Sequence, residues 1–418
     1  MTPSRSSTCL FQVLLVVLLV GLLMIGGFGA GWASYNQVFD LIGVAPPARV
    51  PEDKRDDVDL TVFWEAVQIL YQNYYGDPPQ GRDLTYAAIR GVLRALDDPF
   101  TSFVDPELAR IFEEDMQGEF EGIGATVRMN EEGELVIVAP IEGSPAEAAG
   151  LRPGDIVLEV DGRRIKGMTL LEAVSLIRGP KGTPVRLKIL RAGQEPFEVE
   201  IVRARIEIPT VSARIIQEPG KPKLGYLKLN EFNALATRQV REELQSFRDQ
   251  GVEGLVFDLR NNPGGLLSTS IEVASQFIEE GQVVLIERGK EGEEIHRARG
   301  KGLWLDKPLV VLISEGTASA SEIVAGAIQD HQRGVLVGTT TFGKGSVQSP
   351  RTLSDGSSLR VTIAHWFTPN GRQIHNQGIS PDIVVELAPG DEQVERDPQL
   401  ERAIEVLIEQ ITRGGGRE

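Results

Sequence analysis

A single cysteine, Cys9, stands among 418 residues, so no disulfide can form within the chain. Cys9 also precedes the N-terminal apolar run, whereas a lipoprotein signal needs its cysteine after such a run. Histidine is almost as scarce. His296, His331, His365 and His375 show neither HxxxH nor HxH spacing, so neither a metal site nor a metal cofactor is expected. Positive charge is also short: Lys and Arg number 43 against 60 Asp and Glu, a net charge of −17. An acidic surface of this kind repels phosphates and anionic headgroups, which argues against nucleic acid as a partner. Its ordinary reading is solubility.

With 41% apolar and 25% charged residues, the chain has the composition of a globular protein. Its length allows two or three folded units. The long hydrophobic run is N-terminal. Arg5 precedes it, and from Leu10 to Phe28 the only strongly polar side chain is Gln12. The apolar character continues to Trp32. About 20 such residues cross a hydrocarbon core as a helix. Ala30 and Ala33 would suit a signal peptidase, but a cleavable signal has a shorter apolar core. The expectation is therefore an uncleaved anchor over residues 1–33. The positive charges lie before it and the acidic bulk follows, which places the N-terminus in the cytoplasm and the rest outside. Cleavage would instead give a secreted or periplasmic protein.

Residues 34–57, with Pro46, Pro47, Pro51 and the charged run Glu52–Asp57, read as a linker that cannot bury enough apolar surface to pack. Residues 58–116 read as helices, with Val62, Phe63, Ala66, Val67 and Leu70 at helical spacing. A second helix spans Thr85–Leu96, and Asp98-Pro99 and Asp105-Pro106 interrupt the pattern. Residues 117–205 form a compact, mostly-strand domain with β-rich runs at 135–139, 156–160 and 185–190 and one helix at 170–177. Residues 206–388 alternate strands and helices, a layered α/β pattern. Strands fall at 254–258 and 309–313, followed by helices near 268–278 and 319–329. The tail, 389–418, is acidic and is expected to end in a short surface helix.

Three segments of the α/β region carry candidate chemistry. In Ser314–Ile323, SEGTASASEI, a hydrophobic strand leads into small residues and then a helix. A serine there sits near a helix N-terminus, where free N–H groups and the dipole favour an attacking oxygen and an oxyanion. An ordinary N-cap serine would look the same. In Thr340–Gln348, TTFGKGSVQ, an extended backbone points Lys344, Ser346 and Gln348 to one face. Beside Phe342 and Val347 the ammonium would be desolvated and its pKa lowered, so a neutral lysine could take a serine proton. Gln348 could then hold the amine by a hydrogen bond. A solvated loop lysine is the bland alternative. In Asp258–Leu267, DLRNNPGGLL, Gly264-Gly265 lies between strand and helix, where backbone N–H groups can face an oxyanion. Phosphate cradling is the rival use, but neither GxGxxG nor GxxxxGK[ST] is present. His331 and His365 remain candidates for a histidine base.

Taken together, SEGTASASEIVAGAIQD, TTFGKGSVQ, DLRNNPGG and TPNGRQI...GISPDI resemble the carboxyl-terminal processing peptidases, or tail-specific proteases, from about Val62 to Val385. The resemblance implies a crotonase-like α/β peptidase core with an inserted PDZ domain, beside the N-terminal helical region. It makes Ser319 the nucleophile, Lys344 the base and Gln348 the residue that orients it. Gly265 and Ala320 supply the oxyanion N–H groups. The family often has serine where this chain has Thr317. EGIGA at Glu121–Ala125 resembles the PDZ loop, placing Gly122, Ile123, Gly124 and Ala125 around a substrate's terminal carboxylate. SPAEAAGLRPGDIVLEVDG, Ser144–Gly162, resembles the signature that follows it. Arg178 could couple the PDZ domain to the active site, or serve only as a helix C-terminal cation. The implied activity is cofactor-free serine endopeptidase cleavage of proteins with apolar C-terminal tails. A homo-oligomer through the N-terminal helices is open. Two other readings are a crotonase-type acyl-CoA enzyme and a membrane-anchored, non-catalytic PDZ receptor. Neither needs Ser319, Lys344 and Gln348 together.

Overall fold

The structure is a computed structural model that describes residues 59–130, 132–208, 210–386 and 397–414. The expected anchor (1–33) and linker (34–57) lie outside the described residues. Among the described residues, no helix is long and apolar enough to cross a membrane. The chain divides into two compact units. One runs to Pro106 and includes Ser349–Val361; the other holds Glu107–Gln348 and the chain from Thr362 onward.

In the first unit, α1 (Thr61–Asn73) buries only Val67, while Val62, Trp64, Ile69 and Leu70 are exposed. Helix α2 (Gly81–Arg94) buries Tyr86. The ring of Tyr86 meets Phe103 at 4.7 Å, and its hydroxyl donates to Asp355 Oδ2 at 2.6 Å. Strand β1 (Ser102–Val104) interrupts the helical region and pairs antiparallel with residues 358–360.

The second unit opens with α3 (Pro106–Gln117) and then the strand-rich region. Strand β2 (Glu119–Gly122) leads to β3 (Ala125–Met129), β4 (Leu135–Pro140), α4 (Pro145–Ala148), β5 (Ile156–Val160) and β6 (Arg163–Arg164). Helix α5 (Leu170–Ile177), β7 (Pro184–Leu190), β8 (Phe197–Val202) and β9 (Ala204–Glu207) complete it. The main sheet has the order β3-β4-β5-β7-β8, while β2 pairs with β9. Alternate positions of β7, Val185, Leu187 and Ile189, face a core shared with Ile137, Val157 and Ala173, as a period of two requires. A capping box starts α5: Glu172 Oε2 accepts from Thr169 N–H, and Thr169 Oγ1 accepts from Glu172 N–H.

The α/β region contains β10 (Val211–Ile216), β11 (Leu224–Leu229), α6 (Ala236–Asp249), β12 (Gly254–Asp258), α7 (Leu267–Ala274), β13 (Val283–Gly289) and β14 (Gly292–Arg297). It continues with β15 (Leu309–Ile313), α8 (Ala320–Asp330), β16 (Val335–Gly338), β17 (Ser346–Thr352), β18 (Ser358–Phe367), β19 (Ile383–Val384) and α9 (Pro398–Gly414). Its main sheet runs β10-β11-β12-β15-β16-β19, parallel from β11 onward. Within the second unit β13 pairs with β14 and with residues 364–367 of β18.

Both faces of the central sheet are covered. Leu255, Phe257, Leu309, Val311 and Ile313 pack on one side with residues of α6, α7 and α8. Val256, Val310 and Leu312 pack on the other with Ala403, Val406 and Leu407 of α9. That is why the two central strands read as unbroken apolar runs. The C-terminal helix is therefore not the short surface helix expected from the acidic tail. It has 17 residues, and its Ala403 and Leu407 are fully buried. Arg260 anchors it, with guanidinium bonds to Asp258 and to Asp397, each at 2.7–2.8 Å.

Candidate active site

Three segments leave the carboxyl ends of the parallel strands β12, β15 and β16. In open α/β sheets that edge is where ligands bind. The first segment is the loop 259–266, the second the turn 314–319 and the third the loop 339–345.

The turn after β15 ends at Ser319, which has φ 56° and ψ −116°. A non-glycine residue is uncommon there and costs of order 1–3 kcal/mol. A strained strand-to-helix turn of this kind exposes a serine hydroxyl above a sheet. Ser319 is half-buried. Ala320 is the first residue of α8, so its N–H has no acceptor within the helix.

The turn is stitched to the loop after β12. Thr317 Oγ1 donates to Leu259 O at 2.8 Å and accepts from Ser314 N–H at 2.9 Å. A serine hydroxyl would serve equally, which accounts for threonine at this position. Ala318 N–H donates to Asn262 O at 2.9 Å, and Ser321 Oγ donates to the same carbonyl at 3.0 Å. The buried Asn262 side chain accepts from Gly264 N–H at 2.9 Å and donates to Leu229 O at 2.7 Å.

Gly264 and Gly265 are both required by space. A Cβ at Gly264 would meet Ala318 O at 2.7 Å, Ser319 Cβ at 2.8 Å and Ala320 N at 2.9 Å. A Cβ at Gly265 would strike the carbonyl of Phe232. Gly265 and Phe232 form an isolated parallel bridge, built from Phe232 N–H to Gly264 O and Leu266 N–H to Phe232 O, both 2.8 Å. Neither bond uses the N–H of Gly265.

Lys344 is half-buried in the loop that precedes β17. Its neighbouring glycines permit close backbone contact. Asn376 N–H donates to Gly343 O at 2.8 Å, Trp366 N–H donates to Gly345 O at 2.8 Å, and a Cβ on Gly345 would collide with His375. One detail differs from the sequence reading. Phe342 does not shelter the lysine, because its side chain is 62% exposed. Gln348 directs its Nε2 to Ser346 Oγ at 2.7 Å, since both side chains lie on one face of β17. Val347, on the opposite face, is buried.

Sequence reasoning missed Glu322. Its carboxylate, fully buried, accepts four hydrogen bonds. Oε1 accepts from Thr341 Oγ1 at 2.6 Å and Gly343 N–H at 2.7 Å. Oε2 accepts from Ser319 N–H at 2.8 Å and Lys344 N–H at 2.9 Å. The backbones of Ser319 and Lys344 thus meet on one oxygen atom. The signal in the sequence was the S-x-x-E spacing of Ser319 and Glu322. Burial pushes the Glu322 carboxyl up, and the hydrogen bonds from Thr341, Gly343, Ser319 and Lys344 oppose that shift.

The histidines make the following contacts. His331 donates through Nε2 to Val283 O at 2.7 Å. His365 and His375 stack edge to face at 4.7 Å. His296 meets Glu287 at 3.0 Å.

The loop Gly122–Ala125 joins β2 to β3 and borders a cleft of about 210 Å³ lined by Ile123, Gly124, Ala125, Val127, Val174 and Ile177. Gly124, at φ 76°, lies against Ser144, whose hydroxyl donates to Gly124 O at 2.8 Å. Arg178, the C-cap of α5, also borders this cleft. It donates to Asp115 Oδ1 at 2.8 Å, lies 3.5 Å from Glu114 and stacks 4.2 Å above the Phe120 ring. The end of α3 continues the connection, because Met116 O accepts from Ala234 N–H at 2.9 Å, two residues from Phe232. Glu231 directly precedes Phe232, and its carboxyl is pushed up to about 7 by burial and by the nearby Asp115 charge.

Comparison with known proteins follows the same division. Residues 223–385 match the model of peptidase family S41, and residues 136–191 match that of a PDZ domain. The chain is 42% identical to the carboxyl-terminal-processing protease of Synechocystis sp., over 79% of this chain and 77% of the relative. It is 38% identical to the carboxy-terminal processing protease CtpA of Bacillus subtilis, over 77% and 68%. A solved structure, the photosystem II D1 C-terminal processing protease, superposes with a TM-score of 0.50 at 34% identity, covering 82% of this chain and 90% of that one.

Proposed function

Because the chain belongs to peptidase family S41, the carboxyl-terminal processing serine proteases with a PDZ domain, we propose that it cuts peptide bonds through a Ser319–Lys344 dyad. Neutral Lys344 takes the proton of Ser319 Oγ, which attacks a peptide carbonyl. The N–H groups of Gly265 and Ala320 stabilise the oxyanion. Lys344 then returns its proton to the leaving amine, and water releases the acyl-enzyme. The observation that carries this reading is the meeting of the Ser319 and Lys344 backbones on Glu322 Oε2, with Gly264 pressed against the serine. Gln348, near the start of β17, orients the base by a hydrogen bond to its amine.

In this reading residues 117–205 are the PDZ domain, 206–388 a crotonase-like core and 58–116 a helical N-terminal region. Gly122, Ile123, Gly124 and Ala125 hold the terminal carboxylate of an apolar tail, whose last side chain enters the cleft beside Val174 and Ile177. Arg178 couples that cleft, through α3, to the segment at Phe232 that pairs with Gly265. The apolar run Leu10–Trp32 supports a membrane anchor, with the catalytic part extracytoplasmic. The exposed apolar side chains of α1 support a homo-oligomer.

The test is to incubate the full chain with an unstructured protein ending in apolar residues, beside Ser319→Ala and Lys344→Ala. Cleavage by the parent and by neither variant is expected. Equal cleavage by Lys344→Ala would remove Lys344 as the base.

A further inference from the structure

We propose that Glu322 is the positioning residue that holds nucleophile and base in register, acting as an ionised carboxylate bonded to both segments at once. The inference rests on Ser319 and Lys344 being that pair.

The polarity of its hydrogen bonds fixes its charge. Three of its four partners are backbone N–H groups, which can only donate. The fourth is the Thr341 hydroxyl. That oxygen already accepts from Ile379 N–H at 2.7 Å, so its own proton points to Glu322. Four donors fill the lone-pair sites of a carboxylate, and a protonated acid would face one of them with a hydrogen. The N-terminal turn of α8, where Glu322 lies, favours the negative charge as well.

The four bonds divide the work. Those to Oε2 draw Ser319 and Lys344 together, and the capture of the Ser319 N–H helps hold that residue in its disfavoured conformation. Those to Oε1 fix Gly343 and Thr341, so the base loop is set against α8 before substrate arrives. A glutamine can satisfy only one of the two donor pairs, because its NH2 group faces the other.

The experiment compares the full chain with Glu322→Gln, Thr341→Val, Thr341→Ser, Ser319→Ala and Lys344→Ala, on one unstructured protein substrate with an apolar tail. Glu322→Gln is expected to lower kcat about 100-fold with KM within about twofold, the signature of a lost transition-state interaction. Thr341→Val should lower kcat several-fold, and Thr341→Ser should restore it. If Glu322→Gln fails to fold, the Thr341 pair decides: unchanged kcat in Thr341→Val overturns the proposal. Wild-type kcat or a change confined to KM in Glu322→Gln also overturns it, provided Lys344→Ala is inactive. An active Lys344→Ala would overturn the underlying dyad instead.

Discussion

A methyl group on Gly264 would stand 2.8 Å from the Cβ of Ser319, so the glycine loop and the serine turn touch with no room for a side chain. Gly264 also has φ +102°, where a Cβ is strained in any surroundings. Gly264→Ala is expected to push the turn aside, lowering kcat at least about 100-fold and stability by about 1–3 kcal/mol. Steady-state cleavage and urea unfolding measure both. A fully active alanine variant would show that the turn moves without cost.

Ser319 carries backbone strain at the position proposed for the nucleophile. Glycine adopts φ 56°, ψ −116° without a Cβ clash. Ser319→Gly should therefore abolish cleavage yet raise stability by about 1 kcal/mol. Thermal unfolding of that variant beside Ser319→Ala separates relief of strain from loss of the hydroxyl, since only the glycine should gain.

Glu231 gives a pH dependence with a definite sign. Its carboxyl rises from an ordinary 4.5 to about 7 in the fold, so the native state binds a proton that the unfolded chain releases. The related stability is complete below about pH 4.5 and is lost as pH rises through about 7. Glu231→Gln is expected to raise the Tm at pH 8 and to change it little at pH 4. Equal shifts at both pH values would assign the effect to packing.

Removal of α9 should be severe. Truncation before Asp397 takes away two partners of Arg260, Asp397 and Gln399, and uncovers Val256, Val310 and Leu312. Even Leu407→Ala alone should cost about 2–5 kcal/mol. Chemical denaturation of that variant tests the estimate, and a change below about 0.5 kcal/mol would show that α9 contributes little.

The sequence made some elements plain and concealed others for physical reasons. Strands 254–258 and 309–313 were legible with their bounds, because burial on both faces leaves no polar position to blur them. Helix 170–177 was legible too, from its amphipathic run, and the capping box of Thr169 and Glu172 holds its start in the fold. The pairing of 358–360 with 102–104 was not, because register between segments so far apart leaves no local pattern. Length and acidity hid α9, whose apolar stripe is diluted by Glu401, Glu405 and Glu409. Ser319, Lys344 and Gly265 stood out by their odd surroundings. Glu322 did not. Its link to Ser319 has local capping-box spacing, but its other three donors come from the loop 341–344, which periodicity cannot reveal. Phe342 was misjudged for a related reason, since an apolar residue in a glycine-rich loop says nothing of which way it faces.

The parallel order of the central sheet also sets a timetable. Gly265, Ser319 and Lys344 follow three separate strands, and no hairpin can bring parallel neighbours together early. A chain emerging from the ribosome presents the serine well before the lysine, with neither docked. On the proposed assignment the site is complete only when β12, β15 and β16 lie side by side, so an unfinished chain carries no assembled site of its own.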